Sequence, residues 1–390
     1  MKITRIRDFH CSFGWRNLSF LKIETDQGIA GWTEYYEGAG NAGVTAVIRA
    51  LAEPLVGRDP QTVDRILTEL SARTIQATGG INQHAVAAIG NALLDVKAKS
   101  LDIPVHGLFG GAVRDRLPLY WSHCASYRAR YPKHIGVNPP KSYDDIARIG
   151  AEAKERGFRS LKTNTVLMVD GSFVGYRPTA GESSGYPELN LSREFLTGTI
   201  RQIEALRQGA GPDMAISLDV NFYFKPEGFL TLARALEPYG LQWLEIDNFD
   251  PVALASVRAG CRIPIGSLEH CYGRRGYKPF LDARSVDVAI VDPIWNGYRE
   301  ALRIADLADV YEVNVAPHNY YGYLSDFITA NFAAVIPNLR IMETDIDSVS
   351  WRYELYSHAP EIVDGHMLTP TRPGWGTEPL ELAIFKHPPI

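Results

Sequence analysis

The chain predicts an α/β barrel preceded by a smaller α+β unit, and three observations carry that prediction. Short apolar runs end abruptly in a carboxylate at Asp219, Glu245 and Glu269, spaced by intervals that match one strand–helix unit. From residue 117 onward, strand-like runs alternate with segments of helical period. Residues 1–36, in contrast, read as antiparallel strands followed by helices alone, which is the pattern of an α+β unit.

In chain order, residues 2–9, 18–24 and 29–35 are β-rich, and Thr25-Asp26-Gln27-Gly28 is a turn signal between the last two. Residues 11–17 form a loop carrying Phe13 and Trp15. Helical periodicity follows at 44–55, 63–70 and 83–101, so a first unit is expected over residues 1–113. The barrel is expected over 114–350. Its strand candidates are 117–123, 160–163, Ala215–Asp219, 241–245, 264–269, 286–291, 313–316 and 339–343. Helical period is clearest at 143–156, 193–208, 228–236 and 298–307. Ser142 stands where an N-cap belongs, Asp144 and Asp145 suit a first helical turn, and Gly157 suits a stop. Residues 168–191, rich in Gly, Ser, Pro and Tyr, read as the longest irregular stretch and would lie over the barrel mouth. The turn-rich tail, within 351–390, is expected to pack back on the N-terminal unit.

A chain of 390 residues accommodates a barrel plus an accessory domain. Its net charge of −5 and the absence of a basic run argue against nucleic acid and anionic membrane as partners. Four cysteines (Cys11, Cys124, Cys261 and Cys271) make no CxxC pair and are expected to be free thiols in a reducing cytoplasm. The N-terminus carries no long apolar run, so a soluble, cytoplasmic protein is expected.

Polar residues gather where the candidate strands end: Lys162 and Asn164, Asp219 and Asn221, Glu245, Glu269, Asp292, His318 and Glu343. Taken one at a time, Asp219, Glu245 and Glu269 each read as a solvated helix-capping acid. Three carboxylates in one mouth repel strongly, however, unless a divalent cation lies between them. An all-oxygen donor set suits Mg²⁺, with Mn²⁺ as a substitute. His270, directly after Glu269, would point away from that site. His318 taken alone reads as a satisfied core histidine. Asp292, ending the preceding strand, can accept from one imidazole nitrogen and leave the other free as a base. Lys162 is either an exposed snorkelling lysine or the cation that meets a substrate carboxylate. Glu343 is either an ion-pair partner or part of the chemistry. The aromatics Phe13, Trp15, Tyr35 and Tyr176 either shape the pocket or pack one domain on the other. Arg177 either meets a second carboxylate or sits on the surface.

In these strand-end residues the chain resembles the enolase superfamily, and more narrowly its mandelate racemase-like subgroup, over nearly its whole length. The resemblance implies an N-terminal α+β capping domain, a modified (β/α)7β TIM-type barrel and a C-terminal segment returning to the cap. It implies Mg²⁺ on Asp219, Glu245 and Glu269, and a catalytic His318–Asp292 dyad. It implies that Glu343 hydrogen-bonds the substrate carboxylate and the developing enediolate, and it implies a homo-oligomer. Asn221, two residues after the first acid, fits the racemase-like pattern. One position departs from it. Many members carry Lys-x-Lys on the second strand, and this chain reads Lys162-Thr163-Asn164. A side-chain amide is no base, which weakens racemisation or epimerisation as the reaction. The expected activity is therefore dehydration of a sugar acid, an aldonate or aldarate, to a 2-keto-3-deoxy acid. Asn164, Asn221, Trp15 and Tyr35 are expected to contact the substrate. The alternatives are a cycloisomerase of a sugar lactone or anhydro-sugar acid, a racemase or epimerase, and a non-catalytic metal-dependent binder.

Overall fold

A computed structural model describes residues 1–178, 181 and 183–390. The chain opens with an antiparallel sheet of β1 (Ile3–Ser12), β2 (Asn17–Thr25) and β3 (Ala30–Tyr35), in that order. Three helices follow: α1 (Val44–Ala52), α2 (Val63–Arg73) and α3 (Gly80–Ser100). The sheet lies on α3 so closely that a Cβ at Gly31 would come within 2.2 Å of the Ala92 carbonyl oxygen, which is why only glycine fits there.

The second part is a barrel of parallel strands: β4 (Arg116–Ser122), β5 (Ser160–Asn164), β8 (Ala215–Asp219), β9 (Trp243–Glu245), β10 (Ile265–Ser267), β11 (Val288–Val291), β12 (Asn314–Pro317) and β13 (Met342–Asp345). Each pairs with the next in parallel, and β13 returns to β4. The last seam, between β12 and β13, closes at Val315, which hydrogen-bonds the backbone at Asn338 and Arg340. Tyr120, Trp243, Val288, Ile290, Ala316 and Ile341 form a buried cluster of their own, contributed by strands around the barrel. Ser142 and Asp145 exchange side-chain-to-backbone hydrogen bonds as a capping box on the helix Tyr143–Glu155.

One element differs from expectation, and one helix was not anticipated. Residues 168–191 are not irregular throughout: a two-stranded antiparallel ribbon, β6 (Val166–Val169) and β7 (Ser172–Gly175), opens the stretch. It turns at Asp170-Gly171, both at positive φ. The helix Tyr323–Val335 has no amphipathic signature because nearly every side chain in it is buried.

The first unit and the tail are tied to the barrel by buried polar contacts. Glu34, on β3, accepts from the backbone N–H of Gly322 at 2.7 Å and of Ser325 at 3.2 Å, at the start of the helix Tyr323–Val335. Asp95, on α3, accepts from Trp32 N at 2.8 Å and from Trp375 N at 2.9 Å. In the tail, β14 (Ile362–Val363) pairs with β15 (His366–Leu368), which runs antiparallel to β4. Glu381, further on, pairs with Arg7 and Lys22 of the cap sheet. Among the described residues no helix is long and apolar enough to cross a membrane, and all four cysteines are free.

Candidate active site

The strand-end residues meet at the C-terminal end of the barrel. Strand alternation puts Lys162 and Asn164 on one face of β5, and both are buried. The Lys162 Nζ lies 3.0 Å from Glu245 Oε1 and 3.1 Å from Glu343 Oε1. Burial opposes its charge, but those two carboxylates outweigh the burial and hold it firmly as an ammonium. Asn164 donates to Asp219 Oδ2 at 3.1 Å, and the Asn221 backbone N–H donates to Asp219 Oδ1 at 2.9 Å. The Asn221 side-chain amide donates to the same oxygen. Both asparagines therefore hold Asp219 in place. Glu245 Oε2 accepts from Trp243 Nε1 at 2.9 Å. Glu269 follows Leu268, whose φ of 92° is a strained left-handed conformation for a leucine. Beyond that turn, the Glu269 Oε2 faces His318 Nε2 at 3.4 Å. His270 turns the other way, onto Asp247 at 2.9 Å, as its position predicted.

His318 Nδ1 lies 2.7 Å from Asp292 Oδ2, and the Tyr321 hydroxyl donates to that same oxygen at 2.7 Å. The other oxygen of Asp292 accepts from the backbone of Ile294 at 2.6 Å and Trp295 at 3.0 Å. Four donors thus fix the carboxylate, and it in turn fixes the imidazole. Burial disfavours a charged His318, but Glu269 and Asp292 overcome it and raise the imidazole to about 10. An imidazole held cationic cannot accept a proton, so base chemistry requires the Glu269 charge to be engaged elsewhere. Glu343 accepts from Asn319 N at 2.7 Å, from the Ser122 hydroxyl and from Lys162. Burial pushes its carboxyl up, yet Lys162, His318 and His123 more than offset this and bring it down to about 2. All its contacts are therefore those of an ionised acceptor.

The residues fit a hard divalent cation. Burial, opposed by Lys162 and reinforced by Asp219, pushes Glu245 up to about 7. Burial, with Asp247, Asp219 and Glu245 adding to it against His318, pushes Glu269 well above the carboxylate range. Such mutual repulsion in an all-oxygen set is what a cation relieves. Among the described residues, no three His, Cys, Asp or Glu side chains close into a ready-formed metal cage. Each acid instead rests on a protein partner: Asp219 on two asparagines, Glu245 on Lys162 and Trp243, and Glu269 on His318.

Aromatic side chains roof the mouth. Trp15 stacks on Tyr131 with centroids 4.7 Å apart, and Tyr127 stacks on His123 at 3.9 Å. Tyr320 lies 5.1 Å from the His318 ring. The expectation for Tyr35 requires correction: its hydroxyl bonds Thr45 at 2.7 Å inside the cap. Its neighbour Tyr36 faces Tyr320 and Tyr321 instead. Tyr176 packs on Phe195 and Tyr223, and the exposed Arg177 reaches the Tyr131 hydroxyl at 3.4 Å. A cavity of about 1170 Å³ flanks the site along His270, Cys271 and Tyr272, between α2, α3 and the barrel. It contains none of the strand-end acids, so the chemistry belongs to the barrel mouth. Tyr321, Ser122 and Asn319 were missed from the sequence. Ser122, as the last residue of a barrel strand, carried the only signal.

Residues 5–110 match the mandelate racemase / muconate lactonizing enzyme N-terminal domain, and residues 146–383 match the enolase C-terminal domain-like family. A D-xylonate dehydratase from Haloferax volcanii is 28% identical over 364 residues, covering 91% of this chain and 82% of its own. A D-galactonate dehydratase from Ralstonia nicotianae is 29% identical over 418 residues, covering 99% and 94%. A crystal structure from Burkholderia xenovorans LB400, described as a candidate L-alanine-DL-glutamate epimerase, superposes with a TM-score of 0.98 at 48% identity, covering 100% and 99%. A second structure under the same description, bound to magnesium and fumarate, superposes at 0.97 and 48%, covering 100% and 96%.

Proposed function

Because the chain belongs to the mandelate racemase / muconate lactonizing enzyme family, with its cap and enolase-type barrel, we propose that it is a Mg²⁺-dependent sugar-acid dehydratase. The observation that carries the reading is the His318 imidazole, oriented by Asp292 and Tyr321, at a site whose second-strand position is the amide Asn164. The dehydratase relatives and the magnesium–fumarate complex of the Burkholderia protein support a carboxylic acid and a metal as the site's ligands.

Asp219, Glu245 and Glu269 would hold the cation. Bound there, Mg²⁺ supplies Lewis-acid polarisation of the substrate carboxylate, which lowers the energy of charge developing on it. Lys162 adds a buried positive charge, aimed at the same carboxylate and prearranged before reaction. Glu343, ionised and bonded to Lys162, acts through that lysine by holding it in place, and not as a hydrogen-bond donor. His318 Nε2 removes the proton α to the carboxylate, while Asp292 on Nδ1 keeps the ring oriented and stabilises the imidazolium. The imidazolium returns its proton to the β-hydroxyl on the same face. The C–O bond breaks, water leaves, and the enol tautomerises to a 2-keto-3-deoxy acid. One acid–base residue suffices for such a syn elimination.

Epimerisation is the second reading, favoured by the description of the 48% identical Burkholderia protein. It needs a second proton carrier on the face opposite His318, and Asn164, committed to Asp219, cannot serve. Expulsion of a ring oxygen, as in a cycloisomerase, would use the same proton abstraction without losing water. A screen of diastereomeric sugar acids with Mg²⁺, reading 2-keto acid, tests the proposal. Mg²⁺-dependent 2-keto acid accompanied by loss of water supports it. Turnover that yields only isobaric products overturns it.

A further inference from the structure

Two arginines, Arg16 and Arg130, have buried nitrogens without hydrogen-bond partners among the described residues. Arg16, in the loop between β1 and β2, places its guanidinium 4.8 Å from the centre of the Tyr320 ring, and Tyr320 lies 5.1 Å from His318. Its Nε and Nη2 are shielded from solvent and make no hydrogen bond among the described residues. Of the acids nearest to it, Glu34 is hydrogen-bonded at both oxygens and Asp345 at one, its Oδ2 being buried without a partner among the described residues. Asp345 Oδ1 pairs with His123 at 2.8 Å, and both oxygens of Glu34 accept from Gly322 and Ser325.

Arg130, at the end of the helix Ser126–Arg130, shows the same pattern: Nε and Nη2 are buried without partners among the described residues. A Cβ at Gly175, on β7, would collide with its Nε, so the ribbon is seated directly against the guanidinium. Tyr223, two residues past Asn221, feels both Arg130 and Asp219. Tyr127 lies 5.2 Å from the Trp15 ring and 5.4 Å from the Tyr131 ring, and Arg16 lies 5.7 Å from the Trp15 ring. The Trp15–Tyr131 stack ties the Arg16 loop to the segment that carries Arg130. One guanidinium therefore lies over the Tyr320 ring that packs on His318, and the other lies against the β6–β7 ribbon.

Buried guanidinium N–H groups without acceptors are costly, and each arginine offers a planar fork that matches a carboxylate. We propose that Arg16 and Arg130 form an anion-binding roof for the end of the substrate remote from the metal. The substrate is then a sugar diacid, an aldarate, and not the corresponding monoacid. This rests on the sugar-acid reading of the site and narrows it to one class.

The test uses the full-length enzyme with Mg²⁺ and configurationally matched pairs of aldonate and aldarate, with calorimetric affinity and 2-keto acid formation measured separately. The diacid of at least one pair is expected to bind at least about tenfold more tightly than its monoacid. Arg16→Met and Arg130→Met are each expected to shrink that margin to within about threefold. If a methionine variant does not fold, the corresponding Arg→Lys variant replaces it and is expected to keep only part of the margin. The inference is overturned if monoacids bind as tightly as diacids in every pair, or if the margin survives substitution of both arginines. A diacid margin without 2-keto acid would sink the dehydratase reading and leave this one standing. Dehydration of monoacids without a margin would do the reverse.

Discussion

The His318 Nδ1 lies 2.7 Å from Asp292 Oδ2, while the opposite ring nitrogen faces Glu269 at 3.4 Å. One edge of the ring is thus fixed by a carboxylate that is itself fully hydrogen-bonded, and the other edge looks into the cluster of strand-end acids. The first prediction follows from that geometry. His318→Asn lowers kcat by about a hundredfold to ten-thousandfold and stops exchange of the substrate α-proton with solvent. Mg²⁺ affinity, measured by calorimetry, stays close to wild type. Retained exchange would remove His318 from the role of base.

A second prediction concerns the two asparagines that hold Asp219. Asn164→Ala removes a 3.1 Å hydrogen bond to Oδ2 of that carboxylate and leaves it held by Asn221 alone. Mg²⁺ half-saturation, read from activity against metal concentration after chelation, rises by about ten- to a hundredfold. An unchanged metal dependence with altered substrate KM would instead make Asn164 a substrate contact.

Glu34 supplies a third, away from the chemistry. Its two oxygens bind the first turn of the helix Tyr323–Val335 from the cap sheet. Glu34→Ala leaves two backbone donors buried without partners and costs about 2–4 kcal/mol of stability. Chemical denaturation measures it, and a cost under about 0.5 kcal/mol would show that the contact does not clamp the cap to the barrel.

The fourth is a pH dependence. Burial pushes His84 down to about 4, with the Asp292 charge opposing it. Its Nε2 meets the Tyr272 hydroxyl at 3.1 Å, and Nδ1 has no partner among the described residues. The folded state keeps this ring neutral, whereas the unfolded chain protonates it below its ordinary value of 6.5. Its contribution to stability is therefore complete above about pH 6.5, is lost as the pH falls toward 4, and amounts to no more than about 3 kcal/mol. His84→Gln flattens that acid limb in urea melts recorded across this range; an unchanged slope contradicts the assignment.

Most of the barrel was legible because burial leaves a plain record. A strand enclosed on both faces must be apolar until it reaches the mouth, so Asp219, Glu245 and Asp292 marked strand ends by interrupting apolar runs. The helix Tyr323–Val335 escaped notice because it is buried all round and has no polar face to set a period. The β6–β7 ribbon escaped because Gly, Ser and Tyr signal a loop before they signal two short strands. The error at Tyr35 is one of alternation. Glu34 and Tyr36 face the barrel, so the residue between them faces the cap. Contacts made across long stretches of sequence, such as Tyr321 on Asp292 or Arg16 over Tyr320, leave no local pattern to read.

The most direct test of the account is the fate of the substrate in D₂O with wild-type enzyme and Mg²⁺, followed by mass spectrometry and NMR. The account predicts a 2-keto-3-deoxy acid that has lost one water and carries solvent deuterium at the carbon that bore the departing hydroxyl. A deuterated epimer of the substrate, or an isomer of unchanged composition, would contradict it.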